Sequence, residues 1–114
     1  MVYSYNSEIE TILAGLKVPV SYMFYEGSEN TYITYQQESQ ENAFSGDDQV
    51  RGFVIFYDVD IYSKGNYESL IADVVKAFVG AGWVYQPSRV SPDLYERDTK
   101  FFHKTLSFAK ESEG

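Results

Sequence analysis

Val50 to Tyr62 reads VRGFVIFYDVDIY and contains the strongest strand signal in the chain. The stretch is rich in β-branched and aromatic residues, and successive side chains of a strand point to opposite faces. From Phe53 onward one of its faces is apolar, whereas the other begins apolar and ends with Asp58, Asp60 and Tyr62. The pattern predicts a long central strand that passes from one packed layer into a different environment.

Upstream of this strand, the sequence predicts one helix and two strands. Residues 6–16 place apolar side chains at helical spacing, and either Asn6 or Ser7 can act as the N-cap. In residues 18–26, two sets of side chains alternate as they would on the two faces of a strand. Residues 31–36 are rich in β-branched and aromatic side chains, and a cluster of turn-forming residues separates the two segments. We therefore expect these two strands to pair as a hairpin.

Residues 37–49, QESQENAFSGDDQ, are polar and acidic and show no regular period. A segment of this length is long for a loop in a small domain, and such loops are usually functional or mobile. We predict a mobile loop that becomes ordered on a partner, with Phe44 as its apolar anchor. A solvated extension of a β-hairpin is the alternative.

Downstream of the central strand, the sequence predicts a second helix and two further strands. Asn66 can cap a helix of about 13 residues with an apolar side, and the glycines from Gly80 onward end it. Pro87 cuts the strand that begins at residues 83–85 short. Residues 101–108 form the last predicted strand, and we expect the tail that follows to be frayed.

These elements give the order α-β-β-β-α-β-β and predict an α+β fold. At 114 residues the chain has the length of a single domain. We expect a mostly antiparallel sheet of four to five strands with two helices on one face. The other face must then meet water or another subunit.

The composition excludes several classes of protein. The absence of Cys excludes a disulfide framework, a thiolate metal site and a cysteine nucleophile. No apolar run approaches the roughly 20 residues of a membrane helix, and the N-terminus lacks the features of a signal peptide. A formal charge of −8 argues against nucleic-acid binding, because recognition of phosphates needs Lys and Arg. An aromatic content of 18% argues against disorder.

No pattern of residues points to catalysis. His103 is the only His and lies within the last predicted strand, and nothing resembles a catalytic triad or a nucleophile elbow. We expect this His to be hydrogen-bonded in the sheet at a surface or interface. Asp58 and Asp60 lie about 7 Å apart on one strand face, a spacing that any solvated strand end also has. We expect both carboxylates to be solvated.

A metal site is also not favoured. Asp47 and Asp48, together with the two carboxylates of the central strand, could in principle bind Ca²⁺ or Mg²⁺ through oxygen. However, the D-x-D-x-D-G loop is absent. We predict that the chain is not an enzyme and has no cofactor and no metal site.

The sequence contains an unusual number of aromatic residues, 11 Tyr and 8 Phe. A buried Tyr hydroxyl needs a hydrogen-bond partner, and Tyr is enriched at protein interfaces. We interpret part of this excess as protein–protein contact. Tyr scattered over a sheet surface is the alternative.

Two stretches resemble a known family. Residues 59–82 read VDIYSKGNYESLIADVVKAFVGAG, and residues 94–108 read LYERDTKFFHKTLSF. They are similar to the tail terminator, or tail-completion, proteins of long-tailed bacteriophages and prophages. The resemblance covers roughly the C-terminal half, and the N-terminal half agrees in element order and strand pattern. Where the family pattern has Gly in the turn before the last strand, this chain has Lys100.

The resemblance implies a structural virion protein. Members of the family form a ring, typically of six subunits, that ends polymerisation of the tail tube and forms the tail side of the head–tail joint. The implied partners are further copies of the chain, the tail tube protein and the head connector or stopper protein. DNA passes through without specific binding and no membrane is involved. Assembly would take place in the bacterial host cytoplasm, and the final location would be the head–tail interface of the virion.

This interpretation assigns expected roles to ten residues. Candidates for the lumen or rim of the ring are Asp58, Asp60, Glu38, Glu41, Asp47 and Asp48. Candidates for interfaces are Phe44, Tyr62, His103 and Lys104. Another head–tail connector, such as a head-completion or stopper protein, is the alternative function. An acidic DNA-mimic inhibitor is less favoured, because the acids concentrate in loops and helix starts instead of at regular spacing.

Overall fold

The computed structural model describes residues 5–44 and 50–112. Its elements are α1 (Asn6–Ala14), β1 (Val20–Tyr22), β2 (Thr31–Phe44), β3 (Val50–Ser63), α2 (Glu68–Gly80), β4 (Val84–Tyr85), a 3₁₀ turn (Pro87–Arg89), β5 (Leu94–Glu96) and β6 (Phe101–Ser112). The predicted α+β class and the approximate element order are confirmed. The sheet has six strands instead of four to five, because a short strand within the predicted loop before β6 pairs with β6.

Strand β3 is the centre of the sheet, as the sequence predicts. The strand order is β1-β2-β3-β6-β4, and β5 pairs with β6 on the same side as β4. Both neighbours of β3 run antiparallel to it, so that Val59 lies opposite Tyr35 of β2 and Leu106 of β6. The strand predicted to be longest therefore contacts both other long strands.

The predicted hairpin between the first two strands is wrong. β1 runs parallel to β2, with Val20 opposite Ile33 and Tyr22 opposite Tyr35. The chain leaves β1 at Met23, whose φ of 67° is left-handed and whose N–H donates to the carbonyl of Tyr35 at 2.9 Å. Residues 23–30 lead the chain back to the end of the sheet at which β1 begins, so β2 runs in the same direction as β1.

The described part of the predicted mobile loop is strand. Residues 37–44 belong to β2 and pair with β3, which corresponds to the alternative of a hairpin extension. The register shifts between Gln37 and Ser39, where one extra residue is accommodated as in a β-bulge. This shift interrupts the alternation of side chains and explains why the segment shows no period. Asp47, Asp48 and the side chain of Phe44 lie outside what the structure describes.

Residues 109–112, in the C-terminal tail that we expected to be frayed, also form part of a strand. β6 continues to Ser112, which pairs with Phe53. Charged residues occupy part of this tail and weakened the strand signal in the sequence. Pairing with the long β3 supplies backbone hydrogen bonds that local composition does not reveal.

The core lies between the two helices and one face of the sheet. Phe78 of α2 stacks on Phe108 of β6 with ring centroids 4.1 Å apart, and burial of such a side chain contributes roughly 1.5–3 kcal/mol. The other large side chains that are fully buried come from α1, α2 and all three long strands: Ile9, Leu13, Ile33, Tyr35, Ile55, Tyr57, Val59, Ile61, Val74 and Leu106.

A tyrosine of the sheet holds the start of α1. The helix begins at Asn6 without a side-chain cap, so the predicted capping by Asn6 or Ser7 is wrong. Instead, the hydroxyl of Tyr57 donates to Oδ1 of Asn6 at 2.8 Å and accepts from the N–H of Tyr5 at 2.9 Å. In α2 the N-cap is Tyr67, so the predicted capping by Asn66 is also wrong, although Oδ1 of Asn66 accepts from the N–H of Glu68 at 2.8 Å in the turn that leads into the helix.

Within residues 5–44 and 50–112, no helix is long and apolar enough to span a bilayer.

Candidate functional site

The face of the sheet opposite the helices carries most of the residues that the sequence singled out. Residues opposite one another in neighbouring strands share a face, and the even-numbered residues of β3 point away from the core. We call this surface the helix-free face. Its central residues are Tyr32, Thr34, Gln36, Phe56, Asp58, Asp60, Tyr62, His103, Thr105 and Ser107.

Asp60 is the centre of a hydrogen-bonded cluster on the helix-free face. Its carboxylate accepts from Nε2 of Gln36 at 3.1 Å, from Nε2 of His103 at 3.0 Å and from Oγ1 of Thr105. An ionised carboxylate only accepts, so Nε2 of His103 carries the proton. Burial by itself raises the pKa of Asp60, but the hydrogen bonds from His103, Thr105 and Gln36 hold it below its ordinary value.

The expectation that Asp60 is solvated is wrong. The side chains around it leave Asp60 only 8% exposed, because β2 and β6 flank it on both sides, with Thr34 and Thr105 directly opposite. The expectation that His103 is hydrogen-bonded in the sheet is confirmed. The sequence alone showed neither contact, because each depends on the register of strands that are far apart in the chain.

Asp58 lies two residues before Asp60 on the same face but in a different environment. Burial, followed by the charges of Glu38 and Asp60, raises the pKa of Asp58 to about 6, and the opposing effect of Arg89 is smaller. Ser107, directly opposite in β6, is buried, and its Oγ has no hydrogen-bond partner within the described residues. Asp58 therefore changes charge near neutral pH, whereas Asp60 stays ionised.

Arg89 reaches over the helix-free face from the 3₁₀ turn. Its guanidinium carbon lies 4.0 Å from the ring centroid of Phe56, and its Nη2 donates to Oε2 of Glu38 at 3.1 Å. The ion pair is about one third exposed on each side, so it contributes no more than about 1 kcal/mol. Glu38, which the sequence assigned to the lumen or rim, is the extra residue of the bulge in β2.

Further acidic residues continue this face toward the hairpin end. Glu41 is exposed and lies opposite Val54 of β3, and Glu111 of β6 lies opposite Val54 on the other side. Glu41 was among the predicted lumen or rim residues, whereas Glu111 was not. Its position became visible only when β6 proved to extend through the tail.

A row of stacked rings crosses the other end of the helix-free face. The centroid distances are 4.4 Å for Tyr25 and Tyr32, 4.7 Å for Tyr32 and Tyr62, and 4.2 Å for Tyr62 and His103. The edge of Phe101 contacts this row, 5.4 Å from Tyr32. Burial, followed by the charge of Asp60, raises the pKa of Tyr62 to about 12. The aromatic row therefore adjoins the cluster around Asp60.

Lys104 does not belong to this constellation. It pairs opposite Ile61, whose side chain points into the core, so Lys104 lies on the helix-covered side. Its Nζ donates to Oδ1 of Asp93 at 3.3 Å, and the same oxygen accepts from the hydroxyl of Tyr67 at 2.7 Å. The sheet therefore brings Asp58, Tyr62 and their neighbours together and separates Lys104 from them.

Part of the tyrosine excess is in the core. Tyr35, Tyr57 and Tyr67 are buried, and their hydroxyls donate at the core boundary to Glu10, Asn6 and Asp93 respectively. The core accommodates these rings because each hydroxyl reaches a partner at its edge.

Large apolar side chains are exposed at the two opposite edges of the sheet. At the β1 edge they are Tyr22, Met23 and Phe24, and at the β5 edge they are Leu94, Tyr95 and Phe102. Exposed apolar groups that adjoin one another indicate contact surfaces more often than isolated ones do.

The described residues include no group of three or more His, Asp or Glu side chains that could hold a metal ion.

These features define a class of protein, an α+β domain with helices on one face of a mixed sheet and a polar and aromatic face on the other. The fold is similar to that of a chain in a solved structure described as "Virion of native gene transfer agent (GTA) particle". The TM-score is 0.63 at 19% sequence identity, over 90% of this chain and 84% of that chain. No family model matches the sequence, and no curated protein matches it significantly. The likeness is therefore one of fold.

Proposed function

We infer that this chain is a structural protein of a tailed, phage-like particle, and that it forms a ring on the end of the tail tube. In this role it stops polymerisation of the tube and provides the tail side of the joint with the head. The ring consists of copies of this chain, with six as the expected number, and assembles in the bacterial host. No catalytic step is part of this function.

The observation that carries the proposal is the pair of exposed apolar patches at opposite edges of one sheet. A closed ring needs heterologous contacts, in which one surface of a subunit meets a different surface of the next. Two distinct patches on opposite edges provide such a pair. The resemblance of residues 59–82 and 94–108 to tail terminators, and the fold shared with a chain of a gene transfer agent virion, support the same role.

The helix-free face suits the wall of a DNA conduit. Among the described residues it carries the acids Glu38, Glu41, Asp58, Asp60 and Glu111, and the basic side chains of Arg89 and Lys64 lie over its Phe56 and Phe101 rings. Carboxylates repel DNA phosphates over roughly 8 Å at physiological salt, so DNA would move past such a wall without binding. We place this face toward the lumen of the ring.

The decisive experiment is deletion of the gene from the genome that produces the particle. Electron microscopy should then show tails of abnormal length, or tails that are not attached to heads. Heads that lose their DNA beside tails of normal length would instead identify a head-completion or stopper protein. Particles with normal tails, joined to filled heads, would refute both assignments.

A further inference from the structure

We propose that the side chain of Lys17 of one copy enters an acidic and aromatic pocket of the next copy, and that this contact closes the ring. The inference rests on the proposed function and specifies its self-contact. We call the pocket the α2 pocket, because it lies where β3 leads into α2. It is a cavity of about 420 Å³ whose lining is Gly65, Asn66, Tyr67, Glu68, Asp93 and Phe102.

The α2 pocket combines negative charge with an aromatic wall. Glu68 and Asp93 are its charged lining residues, and the wall is formed by Phe102, which is 39% exposed. Oδ1 of Asp93 accepts from the hydroxyl of Tyr67 and from Nζ of Lys104, which leaves its Oδ2 available. Glu68 forms no ion pair within the described residues. With Lys104 included, the pocket has a net charge of −2 + 1 = −1. It therefore suits an ammonium group, which carboxylates and the face of an aromatic ring both attract.

The groups next to the α2 pocket do not reverse this preference. A helix N-terminus favours anions through its free N–H groups, but the N–H of Glu68 already donates to Oδ1 of Asn66 at 2.8 Å. The helix residues after Glu68 are not part of the lining. The nearby Lys64 is directed to the other face of the sheet, where its Nζ lies 5.0 Å from the ring centroid of Phe101.

Lys17 is an exposed cation on a fixed backbone. It lies between α1 and β1 and forms no ion pair within the part of the chain that the structure describes. Its φ of 59° is left-handed, a conformation that is unfavourable for residues with a Cβ and persists where the surrounding structure holds it. Leu16 and Val18, on either side, pack against the core. The core therefore holds this turn in place, and the ammonium group remains available to a partner.

Lys17 and the α2 pocket lie at the same end of the sheet. β1 is parallel to β2, so the residues that precede Val20 lie toward the start of β2 at Thr31. Thr31 pairs with Ser63 of β3, and Ser63 pairs with Phe102 of the pocket wall. The two sites therefore share a level along the strands.

The two sites also lie on the same side of the sheet and at different edges. Lys17 follows α1 and the pocket adjoins the start of α2, so both are on the helix-covered side. β1 forms one edge, and β2 and β3 separate it from β6, which carries Phe102. In a ring whose axis follows the strands, neighbours are related by rotation without a shift along the axis, so sites at one level meet. Because the two sites differ, each added copy leaves one of each free until the ring closes.

Zero-length crosslinking tests the contact in the unmodified chain. A carbodiimide joins an amine to a carboxylate that touches it, with loss of water. Copies with heavy and with natural nitrogen are mixed at high concentration, and mass spectrometry counts the crosslinked peptides that contain both isotopes. We expect Lys17 to be joined to Glu68 or Asp93 roughly tenfold more often than Lys76 is, because contact positions the reacting groups. Lys76 is the matched control, since it is also exposed and without an ion pair among the described residues.

A charge exchange provides a second test. Lys17→Glu should weaken self-association, measured by light scattering, and Glu68→Lys in the same chain should restore it, because the pair is then reversed. Glu96→Lys is the matched control for the second change. Glu96 pairs with Phe101 and lies near Tyr62 on the helix-free face, outside the pocket, so its replacement should not restore association. Thermal unfolding of each variant verifies that the subunit is folded.

Two outcomes would overturn the proposal. Mixed-isotope crosslinks of Lys17 that are no more frequent than those of Lys76 would show that Lys17 does not meet the pocket. Equal restoration by Glu96→Lys and Glu68→Lys would show that net charge, and not this pair, governs association.

The self-contact and the proposed function fail independently. Crosslinks between Lys17 and the α2 pocket, with normal tails in the deletion strain, would leave the contact standing and remove the terminator role. Overlong tails without these crosslinks would support the terminator role and show that the ring uses a different contact.

Discussion

Asp58 and Asp60 lie two residues apart on the same face of β3, yet their pKa values are shifted in opposite directions. Both are partly desolvated, so burial raises both pKa values. Asp60 accepts hydrogen bonds from three side chains, which more than offset its burial. The carboxylate of Asp58 accepts none within the described residues and is close to Glu38. The register of the flanking strands therefore determines which of the two carboxylates becomes protonated first as the pH falls.

Replacing Asp60 with Ala should lower the free energy of unfolding by about 2–3 kcal/mol, because it removes an ionised acceptor and leaves buried donors unpaired. Urea denaturation at pH 7 measures this loss. The folded pKa is depressed, so the contribution of Asp60 is present above the unfolded pKa of about 3.9 and disappears as the pH falls below it. A loss below about 0.5 kcal/mol, or one that does not decrease as the pH is lowered below the unfolded pKa, would contradict the assignment.

Replacing Asp58 with Asn should raise the free energy of unfolding, in contrast to the replacement of Asp60. The folded pKa of about 6 lies above the unfolded value of about 3.9, so ionisation between these pH values destabilises the wild-type fold. The variant should match the wild type below about pH 4 and exceed it above pH 6, by about 1 kcal/mol after allowance for solvent screening. Melting temperatures measured from pH 4 to pH 8 test this. A pH-independent difference would indicate a packing effect instead.

The stack of Tyr62 on His103, with centroids 4.2 Å apart and planes inclined by 12°, should be measurable as a coupling energy. A double-mutant cycle with Tyr62→Leu and His103→Asn should give about 0.5–1.5 kcal/mol. The matched cycle with Tyr62→Phe keeps the ring and should give a coupling near zero. Equal couplings in both cycles would mean that the Tyr hydroxyl, and not the ring, carries the interaction.

Lys100 occupies the turn in which the tail terminators that the sequence resembles have Gly, and its φ of 64° is left-handed. Replacing it with Gly removes a steric cost of roughly 1 kcal/mol, part of which is offset by the greater freedom of Gly in the unfolded chain. We expect a small increase in melting temperature. Thr99→Gly, next to it in the same turn, serves as the control and should lower the melting temperature. A loss of stability in Lys100→Gly would mean that the Lys side chain makes a compensating contact.

Charge reversal on the helix-free face tests its assignment to the lumen. Glu41→Lys combined with Glu111→Lys should leave folding intact, because both side chains are exposed strand residues. If these residues line a conduit, the variant should reduce DNA delivery about tenfold at an unchanged particle number, since added cations hold phosphates. Asp73→Lys, an exposed site on α2, is the matched control. Unchanged delivery would place this face away from the DNA.

The sequence predicted those elements whose signal is local. The central strand follows from the alternation in residues 50–62, and α2 follows from its apolar side and the glycines after it. Apolar side chains at a fixed period must be buried together, so the period reveals both the element and its buried face. The α+β class and the helix-free face could be derived for this reason.

The parts that sequence reasoning missed depend on pairing between distant segments. Thr31–Phe44 runs beyond its apolar portion because β3 offers it hydrogen bonds, and β1 is parallel to β2 because of the path of the chain after Met23. Polar composition gives no indication of either, since backbone pairing is independent of side-chain polarity.

The same distinction between local signals and long-range pairing applies to the candidate site. The sequence by itself determined that Asp58, Asp60 and Tyr62 share one strand face, because side chains of a strand alternate with a period of two. Only the tertiary structure decided that Asp60 is buried against His103 and Thr105, and that the exposed apolar side chains of β1 and of β5 lie at opposite edges of the sheet. Strand order and register are set by contacts between residues far apart in the chain, and no local pattern encodes them.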